Sequence, residues 1–154
     1  MNWQLLVLGQ IGIALLLSGL IGLERELAHK PAGLRTHMLV GAVATMLVAL
    51  GGVIVQSFSD HPSLRTDPIR IFEAIIVGIS FLGTGTIIQR RHQERVEGLT
   101  TAASLLFTAG IGISVALKQH VLAGGATVLI LIVNRLLGQL EGVMLRRRGE
   151  DATE

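Results

Sequence analysis

The sequence contains no cysteine and no tyrosine, and only 3% of its residues are aromatic. Without cysteine the chain forms no disulfide, no thiolate metal site and no cysteine nucleophile. Its basic residues lie beside apolar segments and are not interleaved with aromatic residues that could stack on bases, as a nucleic-acid-binding surface requires. These absences exclude thiol chemistry and argue against a nucleic-acid partner.

Charged residues are also scarce. They make up 16% of the 154 residues, whereas half of all residues are hydrophobic and the mean hydropathy is +0.62. A typical soluble domain carries about 25% charged residues. The 19 glycines fit a different class, because helices that pack within lipid use small residues to bring their backbones close together. The composition indicates a protein whose partner is the lipid bilayer.

Five segments approach the roughly 20 mainly apolar residues that a helix needs to cross a bilayer. They are residues 4–23, 38–56, 69–89, 99–117 and 121–140. A buried soluble core is the alternative, but five such helices would leave too little polar surface to face water. The predicted fold is all-α, a polytopic membrane protein built as a bundle of about five transmembrane helices.

The basic residues of alternate links predict the orientation of the bundle. They are Arg25, Lys30 and Arg35 in the first link, Arg90, Arg91 and Arg95 in the third, and Arg146, Arg147 and Arg148 after the fifth helix. Cytoplasmic loops carry an excess of Lys and Arg. We therefore expect the N-terminus outside and the C-terminus in the cytoplasm.

Local signals divide the chain further. A transmembrane domain is expected over residues 1–142, followed by a short tail, first basic and then acidic, over residues 143–154, with no soluble C-terminal domain. Asp67 is the expected N-cap of the third helix and Pro68 its first residue. The short link from Lys118 to His120 predicts that helices four and five form an antiparallel hairpin.

Glu73 is the one carboxylate that lies clearly inside a predicted span. An acid within a membrane is costly and suggests a proton or cation path. However, Glu73 is only about one turn from the helix start, where Arg70 three residues earlier can pair with it. The sequence leaves both the functional and the structural interpretation open, and the identity of any bound metal unknown.

Further along the third helix, Gly83, Thr84, Gly85 and Thr86 predict a kink or break, because threonine hydroxyls can bond carbonyls that an irregular helix frees. This point could line an ion path or simply pack closely.

Small residues also recur at four-residue spacing and predict helix-contact faces, either within one chain or in a homodimer. They are Ala14, Ser18 and Gly22, Gly41, Thr45 and Ala49, Ala74 and Gly78, Gly110 and Ser114, and Gly138 and Gly142.

The first link contains acidic residues beside its basic ones, which predicts an ordered cluster of ion pairs. Within it, Glu24 is expected to bind Arg35. The cluster is also expected to contact the third link, residues 90–97. Arg135 is expected to meet Glu141 or a first-link acid. Thr100 and Thr101 are expected to cap helix four.

The sequence shows no catalytic triad order, no paired histidines on a helix face and no paired carboxylates at an apolar cleft, so we predict no enzyme and no cofactor.

Three segments, "GLIGLERELAHKPAGLRTHMLVGAVATML", "DPIRIFEAIIVGISFLGTGTII" and "VEGLTTAASLLFTAGIGISVA", resemble in this order the membrane domain of the MgtC/SapB family, from about Leu16 to Ala116. The resemblance implies a multi-pass protein of the bacterial inner membrane that is tied to growth under low magnesium. It implies a non-enzymatic regulator or accessory factor in magnesium or ion homeostasis that acts through an unidentified membrane protein partner. The alternative is a small transporter or channel for magnesium or protons, with Glu73 and the Gly83–Thr86 break lining the path.

The family pattern also implies which residues form the functional sites. It falls on Gly22, Glu24, Arg25, Pro31, Gly33, Leu34, Arg35 and Thr36, on Asp67, Pro68 and Arg70, on Gly78, Phe81, Leu82, Gly83 and Gly85, and on Gly98, Leu99, Thr100, Thr101, Ala102 and Ala103. Glu73, Thr84 and Thr86 depart from the commonest family pattern, so a role for them would be a subgroup trait.

Overall fold

The computed structural model describes residues 2–58, 67–89 and 96–150, without the side chains of 88–89, 96–97, 137 and 139–150. Its elements are α1 (Trp3–Leu27), α2 (Leu34–Ser57), α3 (Ile69–Gly85), β1 (Ile88–Gln89), β2 (Val96–Glu97), α4 (Leu99–Ala116) and α5 (His120–Glu150). The two short strands pair antiparallel. The predicted all-α bundle of five helices is confirmed.

Three helices in the described ranges, α1, α2 and α4, are long and apolar enough to cross a membrane. The third predicted span, residues 69–89, is four residues too long, because α3 ends at Gly85 and Thr86 caps it. The predicted break therefore lies at the end of the helix. Within α5, the segment His120–Leu136 is apolar.

The core lies where α1, α2 and α4 meet. Ala14 and Ser18 on α1 and Gly41 and Thr45 on α2 are buried there, as their spacing predicted. On α4 the contact is made by Gly112, where an added Cβ would collide with the backbone oxygen of Gly41. The pair predicted on this helix, Gly110 and Ser114, does not form this contact, because an added Cβ at Gly110 would meet nothing within 4 Å. A contact of that pair in a homodimer stays a prediction.

The outer helices pack differently. Ile75 and Ile79 of α3 are buried in the core cluster with Leu105 of α4. Ala74 and Gly78 lie on another side of α3 and are exposed, so they make no helix contact within this chain, and a contact in a homodimer stays a prediction. The chain turns between α4 and α5 in the left-handed region at Lys118. The two helices then pack against each other, as predicted.

Candidate functional site

The last residues of α1 contact two different helices. The side chain of Arg25 is 3% exposed, and its Nη2 donates to Oγ1 of Thr101 at the start of α4, at 3.4 Å. Oε2 of the neighbouring Glu24 accepts from Nδ2 of Asn134 on α5, at 2.9 Å. A buried guanidinium is costly unless it is hydrogen-bonded, so the end of α1 is held to both α4 and α5 by polar contacts.

His37, which is fully buried, joins α2 to α4. Its Nδ1 lies 2.9 Å from the carbonyl oxygen of Gly33, and its Nε2 lies 2.9 Å from Oγ of Ser104. A carbonyl oxygen can only accept, so Nδ1 carries a proton. In the neutral ring, Nε2 then accepts from the Ser104 hydroxyl.

Glu26 caps α2 from the preceding helix. Its Oε2 accepts from the backbone N–H of Leu34 at 2.8 Å, which satisfies one of the free amides at the helix start and places a negative charge at the positive end of the helix dipole. A Cβ added at Gly33 would lie 2.7 Å from this carboxylate oxygen. Gly33 therefore leaves room for the cap.

We call this set of residues the first-link cluster. It comprises Glu24, Arg25, Glu26, Gly33, His37, Thr101, Ser104 and Asn134. Gly22 lies beneath it, and a Cβ added there would come within 2.7 Å of the Cα of Leu34. The cluster connects α2, α4 and α5 to the last residues of α1, at one end of the bundle.

The ion pair predicted between Glu24 and Arg35 was wrong. Glu24 is bonded to Asn134 on α5, whereas Arg35 and Thr36 are exposed in the first turn of α2. Pro31 is exposed as well, so the first link presents these three residues outward. The predicted contacts with residues 90–95 and with the side chains of Glu97 and Glu141 lie outside the described residues.

The predicted threonine caps of α4 were also wrong. Gly98 occupies the N-cap position with a φ of 95°, and no side chain caps the helix. A Cβ at Gly98 would be strained by this φ and would collide with the carbonyl oxygen of Thr86. Thr100 is exposed, and the hydroxyl of Thr101 instead accepts from Arg25.

The predicted helix-three residues do not join the first-link cluster. Oδ1 of Asp67 accepts from the N–H of Ile69 at 3.0 Å. However, α3 begins at Ile69 with Pro68 at the N-cap position, so the predicted cap and first residue of this helix were each one position too early. Arg70 and Glu73 are exposed, and they form no ion pair with each other. The predicted structural pairing is therefore not formed, and these residues lie towards the other end of the bundle.

The second half of α3 is divided between contact and exposure. Gly83 is buried, and a Cβ there would lie 3.2 Å from the Cβ of Ala102 on α4. Gly78 and Gly85 face open space, and the Thr84 hydroxyl donates to the carbonyl oxygen of Ser80 in its own helix. Of the predicted site residues on α3, only Gly83 makes a close contact between helices.

Sequence reasoning missed His37, Ser104 and the capping role of Glu26. One signal was present for the α4 face, because Thr101, Ser104 and Thr108 are spaced three and four residues apart and so share one side of a helix. All three are buried. The described residues include no group of three or more His, Asp or Glu side chains that could hold a metal ion.

Comparison with known proteins places these features in a family. The sequence pattern of the MgtC family matches residues 11–143. The chain is 41% identical over 133 residues to "Protein MgtC" of Brucella abortus, which covers 85% of this chain and 51% of that protein. It is 36% identical over 130 residues to the "Putative magnesium transporter YhiD" of Escherichia coli, covering 83% of this chain and 59% of that protein.

A third relative, "Protein SapB" of Bacillus subtilis, is 36% identical over 108 residues, which are 70% of this chain and 46% of that protein. The chain thus spans about half the length of the curated relatives it matches. No solved structure matches it. With its apolar helices and a family match that covers most of its length, the chain is a membrane protein that belongs to the MgtC family.

Proposed function

We propose that this chain is a non-enzymatic regulator or accessory factor of magnesium homeostasis in the bacterial inner membrane, and that it acts by binding a membrane protein partner. The name of the Escherichia coli relative supports the link to magnesium. The observation that carries the proposal for a partner is the uncovered face of α3.

This α3 face combines large apolar, small and acidic side chains. Its exposed members are Glu73, Ala74, Val77, Gly78, Phe81, Leu82, Thr84 and Gly85. Val77 is 68% exposed and Phe81 is 80% exposed, so the contact area available to a neighbour is large. Exposed small residues let a second helix approach closely.

Glu73 indicates the chemistry of the occupant. Its carboxylate forms no ion pair in the described part of the chain, and an acid that faces lipid is costly. A partner helix with a Lys, an Arg or a hydrogen-bond donor would lower that cost. A second copy in the same membrane would hold its own Glu73 at the same depth, where like charges repel, so the face is better suited to a different protein.

Transport is the second candidate, which the printed name of the Escherichia coli relative favours. Magnesium prefers six oxygen ligands and releases its water reluctantly, so a path needs several carboxylates or free oxygens. Glu73 is the one carboxylate on α3, and the part of the chain that the structure describes includes no group of three or more His, Asp or Glu side chains that could hold a metal ion. The first-link cluster uses its polar atoms in contacts between helices. This arrangement supports regulation over transport.

The test compares two glycines with open surroundings. Gly78→Leu fills the α3 face, and Gly125→Leu makes the same change on α5, where a Cβ also meets nothing within 4 Å. A photo-crosslinker at Val77 identifies the neighbour in cells grown at low magnesium. We expect Gly78→Leu and Glu73→Gln to lose both the crosslinked protein and growth of a complemented deletion strain, and Gly125→Leu to keep both.

Two outcomes would contradict this proposal. Normal growth of the Gly78→Leu variant would show that the α3 face is not needed. Magnesium uptake by liposomes that contain only the purified chain, abolished by Glu73→Gln, would favour the transporter instead.

A further inference from the structure

A groove with a volume of about 680 Å³ runs between α1 and α5, next to the first-link cluster. This volume lies within the range of roughly 300–1,000 Å³ that is typical of small-molecule sites. Leu20 and Leu23 of α1 and Leu131 of α5 form its apolar wall, and Lys30 and Arg135 line its polar part. The groove is therefore apolar along its length and cationic near the first link.

The two cations of the groove, Lys30 and Arg135, form no ion pair with any side chain that the structure describes. Both are exposed. Among the described lining residues, the carboxylate of Glu24 accepts a hydrogen bond from Asn134. An amide nitrogen has two donors, so Asn134 keeps one N–H beyond that contact.

We propose that this groove binds an anionic phospholipid, with the phosphate between Lys30 and Arg135 and one acyl chain along the leucines. The argument is charge complementarity combined with an apolar wall. Arg presents a planar fork of donors that matches phosphate, and Lys adds a point charge. Both side chains are long enough to keep their charged ends at the membrane surface while their stems lie on apolar groups.

The position of the groove fits this occupant. Both cations belong to the end of the bundle that carries the first link, which the distribution of Lys and Arg predicts to be cytoplasmic. Anionic lipids attract basic residues near the membrane surface. The site is separate from the α3 face, so it neither requires nor excludes the proposed function.

The test is native mass spectrometry of the purified full chain titrated with phosphatidylglycerol or with phosphatidylcholine, whose choline cancels the phosphate charge. We expect tighter binding of phosphatidylglycerol and a loss of about fivefold in its affinity for each of Lys30→Gln and Arg135→Gln. Arg35→Gln is the matched control, because it removes an exposed cation from the same end of the bundle but outside the groove.

A second variant tests the groove itself. A Cβ at Gly138 meets nothing within 4 Å, so Gly138→Phe fills the groove without a clash at its first atom and without a change of charge. We expect it to fold, as judged by elution profile and helicity, and to lose phosphatidylglycerol binding.

Three results would overturn the proposal. An equal loss in Arg35→Gln would indicate general surface charge, and unchanged binding in Gly138→Phe would place the lipid elsewhere. Displacement of the lipid by inorganic phosphate alone would indicate a site for a free anion.

Discussion

At the residue scale, single hydrogen bonds between helices satisfy buried polar side chains and so contribute to the stability of the fold. Ser104 supplies the donor to Nε2 of the fully buried His37. We predict that Ser104→Ala destabilises the protein by about 1–3 kcal/mol, because it leaves a buried ring nitrogen without a donor. Thermal unfolding in detergent measures this as a lower melting temperature.

Ser114→Ala is the matched control for that prediction. It makes the same change on the same helix, but the Ser114 hydroxyl donates to the carbonyl oxygen of Gly110 within α4 and joins no second helix. We expect this variant to change stability by about 0.5 kcal/mol or less. Equal melting temperatures for the two variants would mean that the bond to His37 contributes little.

The sequence identified several residues of this region but not their contacts. Arg25 and Thr101 were predicted site residues, and they meet, although 76 positions separate them. Glu24 was expected to bind Arg35, the nearest cation along the next helix, but it reaches Asn134. Sequence distance favours local pairs, whereas the packing of α1 against α5 decides which side chains face each other.

At the element scale, backbone contact between α2 and α4 sets how closely these helices can pack. A Cβ at Gly112 collides with the carbonyl oxygen of Gly41, whereas one at Gly110 meets nothing. We predict that Gly112→Ala separates the helices and costs about 1–3 kcal/mol, as overpacked cores do. Gly110→Ala is expected to be neutral or to stabilise by up to about 1 kcal/mol, because Ala favours helix.

These two variants are compared by yield of folded protein from membranes and by melting temperature. A loss in Gly110→Ala that matches the loss in Gly112→Ala would show that substitution of any α4 glycine is harmful, and would contradict the packing argument. Unchanged stability in both would mean that the two backbones can shift apart without cost.

Gly110 and Gly112 show why the contact faces of the helices could be predicted only in part. Residues 110 and 112 lie about 200° apart around a helix, and both belong to a run rich in small residues, "TAGIGIS". Four-residue spacing therefore fits more than one side of α4. On α1 and α2 most other residues are large and apolar, so fewer alternative rows of small residues exist. The predicted Ser18 and Gly41 are accordingly buried in the helix contact.

At the scale of the whole molecule, the number of helices and the membrane class followed from composition and from the lengths of the apolar segments. The end of α3 did not, because Gly85 and Thr86 stop the helix before the apolar run ends. The outer helices consequently differ from the core helices. The core of α1, α2 and α4 is close-packed, whereas α3 leaves one face uncovered and α5 borders a groove beside α1.

The orientation of the bundle remains a prediction, and the absence of cysteine makes it directly testable. Thr36 and Gln119 are both exposed. Thr36 lies in the first turn of α2, beside the first-link cluster, and Gln119 follows the far end of α4. A single cysteine at either position is the only thiol in the chain, so a membrane-impermeant maleimide reports its side of the membrane without background.

We expect Gln119→Cys to react in intact spheroplasts and Thr36→Cys to react only after lysis, because the basic first link favours the cytoplasm. Both substitutions leave every Lys and Arg in place, so the charges that set the orientation are unchanged. The reverse labelling would invert the bundle and move the Lys30 and Arg135 groove to the outer leaflet. If both cysteines were labelled in intact spheroplasts, residues 36 and 119 would lie on the same side of the membrane, which would contradict the predicted topology.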